Sequence, residues 1–194
     1  MVIRVKPDGS YTARTERTRG GTPPAAPRSA NRSAPLPPTR AASTSGSEAS
    51  SGSLLVPVQG VPRSKLVDTY TQARTRGRPH NAIDIAAPRG TPVVAVTGGR
   101  VLKLFKSVQG GIALYQLDPD GRTVYYYAHL DRYAPGMREG KTLRRGEVLG
   151  YVGNTGNSGA GNYHLHFGIS IPSDPKQYWG GRNINPYPRL RGTK

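Results

Sequence analysis

The 194-residue chain contains no cysteine. That absence excludes a disulfide framework, a lipoprotein anchor and any zinc site built on thiolates. Acidic residues are also scarce, at 11 Asp and Glu against 28 Lys and Arg. The resulting net charge of +17 predicts solubility and attraction to polyanions, and it does not bear on the fold. No apolar run approaches the roughly 18–20 residues needed to cross a bilayer, so no transmembrane segment is expected. The basic start Met1-Val2-Ile3-Arg4-Val5-Lys6 has no apolar stretch behind it, and no signal peptide is visible. Histidine is rare as well: the chain has four, at positions 80, 129, 164 and 166.

What is present falls into two parts. Residues 1–53 are Ser, Thr, Pro, Ala, Gly and Arg with almost no large apolar side chain after Tyr11. Such a segment cannot bury enough apolar area to offset its ordering entropy, which predicts a disordered basic tail. From Leu54 to residue 194 the pattern changes to short apolar stretches separated by Gly, Pro and Asn turns. Strands are expected at Ala82–Ala86, Val93–Val96, Arg100–Ser107, Ile112–Leu117, Thr123–Ala128, Glu147–Val152 and His164–Ile171. Asp118-Pro119-Asp120-Gly121 reads as a hairpin turn between two of them. A short helix is expected only over Ser64–Gln72. Many short strands and little helix predict an all-β domain, a small antiparallel sandwich or open barrel.

The histidines concentrate the chemistry. On the strand Tyr163-His164-Leu165-His166-Phe167 residues two apart share a face, so His164 and His166 point one way and Leu165 and Phe167 the other. His80 and Asp84, four apart, share a face of a strand or of a helix, and the alternation around Asp84 favours the strand. In Tyr125-Tyr126-Tyr127-Ala128-His129-Leu130-Asp131, His129 is expected to end a strand. Zinc hydrolases usually offer three protein ligands, often two His and one carboxylate, with the fourth position open. Asp84 and two histidines supply that set and leave two imidazoles, bases of suitable pKa, for proton transfer.

Taken together, His80–Asp84, Tyr127-Ala128-His129-Leu130 and His164-Leu165-His166-Phe167 resemble the lysostaphin-like, or LytM-type, zinc metallo-endopeptidases of peptidoglycan. The likeness runs from about residue 60 to 188 and extends to Gly90-Thr91-Pro92, Gly150-Tyr151-Val152-Gly153-Asn154-Thr155-Gly156 and Ile184-Asn185-Pro186-Tyr187. The resemblance implies His80, Asp84 and His166 as ligands of one zinc ion, and His129 and His164 as the catalytic, non-ligand pair. It also implies a groove with zinc on its floor, a peptidoglycan peptide as substrate, and action in the periplasm, the cell envelope or outside the cell. Stem-peptide cross-links and glycine bridges are both precedented there.

A second reading is a non-hydrolytic peptidoglycan-binding or hydrolase-activating module of the same fold. The full set of ligand residues argues against it. Anionic wall polymers are natural partners for so cationic a chain. Specific nucleic-acid binding is not expected, because the basic residues are scattered and form no reading motif.

Overall fold

The computed structural model describes residues 2–5, 11–14, 54–73, 77, 79–174 and 177–192. The chain divides into two units, Met1–Ser47 and Glu48–Lys194, each described here by itself. In the first, β1 (Val2–Val5) and β2 (Tyr11–Arg14) pair antiparallel with Val2 opposite Arg14. The rest of the expected tail lies outside the described residues.

The second unit is built on β3 (Ile83–Ala86), β4 (Pro92–Val94), β5 (Gly99–Ser107), β6 (Gly111–Leu117), β7 (Val124–Tyr133), β8 (Thr142–Leu143), β9 (Val148–Val152), β10 (His164–Ile171) and β11 (Arg182–Ile184). They form one open antiparallel sheet in the order β11-β10-β7-β6-β5-β8, with β3 added on β10, and β4 on β9, which itself pairs with β7. Strand period does the sorting. Along β10, Leu165, Phe167 and Ile169 are fully buried in the core, and His164, His166, Gly168 and Ser170 face the other way. Ile83 and Ile85 on β3 and Tyr125 and Tyr127 on β7 join that core, where Tyr127 lies 5.2 Å from Phe167 between ring centroids.

The buried tyrosine is satisfied. Its hydroxyl donates to Gln116 Oε1 at 2.7 Å, and the Gln116 amide donates in turn to the carbonyls of Thr97 and Gly98. The expected Asp118–Gly121 turn joins β6 to β7, and Asp120 caps it by accepting from the amides of Arg122 and Thr123.

The expected helix over Ser64–Gln72 is not formed. A single 3-10 turn occupies Arg63–Lys65, and the chain leaves it extended at Leu66 and turns again at Tyr70–Thr71. That course carries the Thr69 carbonyl and hydroxyl to His80 and to the Asp84 amide, contacts a helix would have withdrawn. The one α-helix among the described residues, α1 (Pro186–Arg191), is instead near the C-terminus. Asn185 caps its start by accepting from the Tyr187 amide at 2.9 Å, and Gly192 ends it in the left-handed conformation.

Two loops interlock beside β7. Asn157 N donates to the Gln109 carbonyl at 3.0 Å, Ile112 N to Thr155 Oγ1 at 2.9 Å, and Thr155 Oγ1 to the Leu130 carbonyl at 2.7 Å. A Cβ on Gly111 (φ 62°) would fall inside the Thr155 hydroxyl and the Gly156 amide. One on Gly121 (φ 70°) would meet nothing within 4 Å. Replacing Gly121 with Ala therefore carries only the left-handed backbone cost, about 1–2 kcal/mol. Replacing Gly111 with Ala adds overpacking and is expected to cost roughly 2–5 kcal/mol. Urea-unfolding midpoints of the two variants check this; equal losses would show that the loops do not interlock.

Candidate functional site

Register builds the site. Across β10 and β3, His166 stands directly opposite Asp84, and across β10 and β7 it stands opposite Ala128. Directly opposed residues present their side chains on one face, so the Asp84 carboxylate and the His166 imidazole meet without any loop to position them. His80 reaches them from the segment ahead of β3, held by the hydrogen bond its backbone N–H donates to the Gln72 carbonyl at 3.1 Å.

Three donor atoms converge there. His80 Nε2 lies 3.0 Å from Asp84 Oδ1 and 3.0 Å from His166 Nδ1, and His166 Nδ1 lies 3.1 Å from Asp84 Oδ1. The triangle has the dimensions of one metal's ligand face, since bonds of about 2.0–2.1 Å at the tetrahedral angle separate neighbouring donors by about 3.3–3.4 Å. The orientation of the ring fits as well. His80 Nδ1 faces the Thr69 carbonyl at 2.9 Å, and a carbonyl only accepts, so Nδ1 carries a hydrogen. That leaves Nε2 as the ring nitrogen directed at a carboxylate oxygen and a second ring nitrogen, with Nδ1–H held by a main-chain carbonyl as metal-ligating histidines usually are, so the residues present fit a divalent metal.

The other two histidines stand alongside, each buried and each anchored through Nδ1 to a main-chain carbonyl. His129 Nδ1 donates to Thr155 O at 2.8 Å, and His164 Nδ1 donates to Asn162 O at 3.1 Å. In the neutral form of either ring, Nε2 is thereby the acceptor. The two rings lie 4.9 Å apart between centroids, His129 is 5.6 Å from His166, and His164 Nε2 is 3.7 Å from Asp84 Oδ1. Burial pushes the His129 imidazole down to about 4 against an opposing pull from the Thr155 carbonyl, so it is uncharged at neutral pH.

All five residues singled out from the sequence are thus brought together. One detail differs: His129 does not end its strand but sits inside β7 with φ 59°, where β7 passes from pairing with β10 to pairing with β9. A left-handed non-glycine residue costs about 1–2 kcal/mol, and here the Gly110 carbonyl accepts the His129 amide at 2.9 Å and holds the kink. The kink sets the ring beside the donor triangle, 5.6 Å from that of His166. Asn81 (φ 56°), next to His80, is the only other such residue among those described. Both strained positions therefore border the site.

The sequence reading missed the anchoring residues Thr69, Thr155 and Asn162, which act through main-chain carbonyls that carry no residue-type signal. Ser158, whose hydroxyl donates to the Asn162 carbonyl at 2.6 Å, belongs to the same support.

Comparison with known proteins gives the same outline. The Bacillus subtilis L-Ala--D-Glu endopeptidase is 32% identical over 130 residues, which is 63% of this chain and 38% of that protein. The catalytic domain of the antimicrobial peptidase lysostaphin from Staphylococcus simulans has a TM-score of 0.55 at 28% identity, covering 66% of this chain and 92% of that domain. A zinc containing peptidase from Vibrio cholerae has a TM-score of 0.53 at 25% identity, over 67% of this chain and 41% of that one. The matched spans amount to 38% or less of the length of the first curated relatives. The family model described as Peptidase family M23 matches residues 78–186. That span takes in every residue of the cluster from His80 to His166, and the chain belongs to peptidase family M23.

Proposed function

We propose that the chain is a zinc-dependent endopeptidase that hydrolyses peptide bonds in peptidoglycan stem peptides or cross-links, acting in the periplasm, the cell envelope or outside the cell. The observation that carries this reading is the convergence of His80 Nε2, Asp84 Oδ1 and His166 Nδ1, with two anchored imidazoles beside them. A module that held its metal only for structure would have no use for His129 and His164, each buried and each anchored through Nδ1 beside the donor triangle.

His80, Asp84 and His166 would hold the zinc. When bound, zinc lowers the pKa of water and polarises a carbonyl. The remaining chemistry belongs to the chain. His129 or His164 accepts the proton of the attacking water at Nε2, while its Nδ1–H stays on the Thr155 or the Asn162 carbonyl. The protonated ring then has N–H on both sides and can pass a proton to the leaving amine. The other imidazole can hydrogen-bond the oxyanion that forms on the scissile carbonyl only as the imidazolium, with a proton on Nε2 as well as on Nδ1. Because burial disfavours the imidazolium of His129, the ring gives its proton up readily once it has accepted it.

The two roles separate by mutation. Asp84→Ala and His166→Ala are expected to purify without stoichiometric zinc, measured by metal analysis. His129→Ala and His164→Ala are expected to keep the metal and lose roughly 10²–10⁴-fold in turnover. If either of the latter pair emerges without metal, that histidine is a ligand; if both former variants keep theirs, the ligand assignment fails.

Charge supplies a second test. Residues 54–194 hold 20 Lys and Arg against 8 Asp and Glu. Long-range attraction should gather the protein on an anionic wall, and screening shortens from about 10 Å at 0.1 M salt to about 3 Å at 1 M. Activity on whole sacculi is therefore expected to fall steeply with salt while turnover of a small soluble peptide changes little. Equal salt sensitivity on both substrates would remove the role of charge.

A further inference from the structure

Beside the metal cluster lies a second cavity, of about 210 Å³, that the hydrolytic reading leaves unused. It shares His80 and His166 with the cluster and extends away from it along the same face of the sheet. One cross-strand row forms its inner side: Gly168 on β10 opposite Tyr126 on β7, opposite Tyr115 on β6. Tyr178 and Trp179, from the loop ahead of β11, close the outer side. Ring centroids step along this wall at 4.6 Å from Tyr126 to Tyr115, 4.7 Å to Tyr178 and 4.4 Å to Trp179.

Gly168 is the telling residue. Glycine in a strand interior weakens the strand and often marks a close approach by a ligand or another backbone. Here neither packing nor conformation calls for it. Its backbone is not left-handed, and a Cβ would make only ordinary contacts, at 3.8 Å to the Asn81 carbonyl and to Tyr126 Cβ. What a side chain there would remove is the space above the strand, bounded by His166 and Ser170 on either side along the same face. The lining is also selective in charge. In a chain with 28 Lys and Arg, no Lys, Arg, Asp or Glu among the described residues borders this cavity. It offers aromatic faces, the carboxamides of Asn81 and Asn183 and the hydroxyl of Ser170. An uncharged ligand with one apolar face and a rim of hydroxyl or amide groups matches that set.

We propose that this cavity binds a neutral sugar ring, so that the protein recognises the glycan carrying the peptide as well as the peptide it cuts. The inference rests on the proposed peptidoglycan substrate. A stem peptide brings carboxylates, whereas the N-acetylated sugars of its glycan bring apolar ring faces, hydroxyls and amides. Reach allows both to be held at once. The Tyr126 ring is 6.0 Å from His166 and Tyr115 is 4.6 Å further, a span that extended peptide at about 3.3–3.6 Å per residue crosses in about three residues.

Trp179 is the only tryptophan in the chain and is 53% exposed, so its fluorescence reads this one wall without any need for turnover. Titrating the full chain with a β-1,4-linked N-acetylglucosamine oligomer is expected to give a saturable change in that emission. Tyr178→Ala should weaken the apparent affinity roughly tenfold or more by removing a stacking face. Gly168→Val should abolish the response by filling the floor, and Gly168→Ala, which fits without displacing any neighbour, should weaken it. Zinc content in each variant confirms that the neighbouring site still forms. In turnover, the native chain is expected to show a lower KM for a disaccharide-linked stem peptide than for the same peptide without sugar, and Tyr178→Ala should erase that difference. No emission change with the oligomer, or a change produced by the sugar-free stem peptide instead, overturns the proposal. Saturable sugar binding by a chain that cleaves no wall would leave the cavity assignment standing and remove the endopeptidase reading. Cleavage with a silent Trp179 would do the reverse.

Discussion

Every feature of the site depends on the pairing register of three strands. With β10 between β3 and β7, Asp84, His166 and Ala128 fall into one cross-strand row, and the core residues Leu165, Phe167, Ile83, Ile85 and Tyr127 are set on the opposite face. A slip of one residue would exchange the two faces. It would bury an imidazole and a carboxylate among apolar side chains and send Phe167 into the groove. The packing energy of the core and the geometry of the donor cluster are therefore specified together. A strand that is hydrophobically correct is automatically chemically correct.

The second constraint is electrostatic. His80, His129 and His164 each give Nδ1–H to a main-chain carbonyl, from Thr69, Thr155 and Asn162. One motif thus serves different ends. On His80 it turns Nε2 into the donor triangle, and on the other two it leaves Nε2 as the ring nitrogen that can take up or give a proton. His166 differs, presenting Nδ1 to the triangle, with its ring edge-on to Tyr126 at 6.0 Å. The strained backbone at Asn81 and His129 fits the same picture, since both residues are forced into the left-handed region where the chain must turn an imidazole inward.

Much of this was legible in the sequence, for identifiable reasons. Period-two alternation exposed β3, β7 and β10, and the Asp118–Gly121 turn residues exposed the β6–β7 hairpin. The five site residues stood out because histidine is rare in the chain and His164 and His166 share a strand face. What was not legible was short or non-local. β8 has two residues and β11 three, too few to show a period. The helix expected over Ser64–Gln72 lost to tertiary contacts, because the Thr69 carbonyl and hydroxyl are taken up by His80 and Asp84. α1 carried its signals openly, with Asn185-Pro186 at the start and Gly192 at the end, but six residues show too little periodicity to be read as a helix. The carbonyls that hold the histidines leave no trace in residue type at all.

The central claim is that one metal ion is held by two imidazoles and one carboxylate, with His129 and His164 beside it and unbound. X-ray absorption at the zinc edge on the zinc-loaded chain tests it directly, because imidazole rings give a distinct multiple-scattering signature that can be counted. The account predicts two imidazoles and oxygen donors in the first shell, unchanged in His129→Ala and His164→Ala. A third imidazole that disappears in either variant would contradict it.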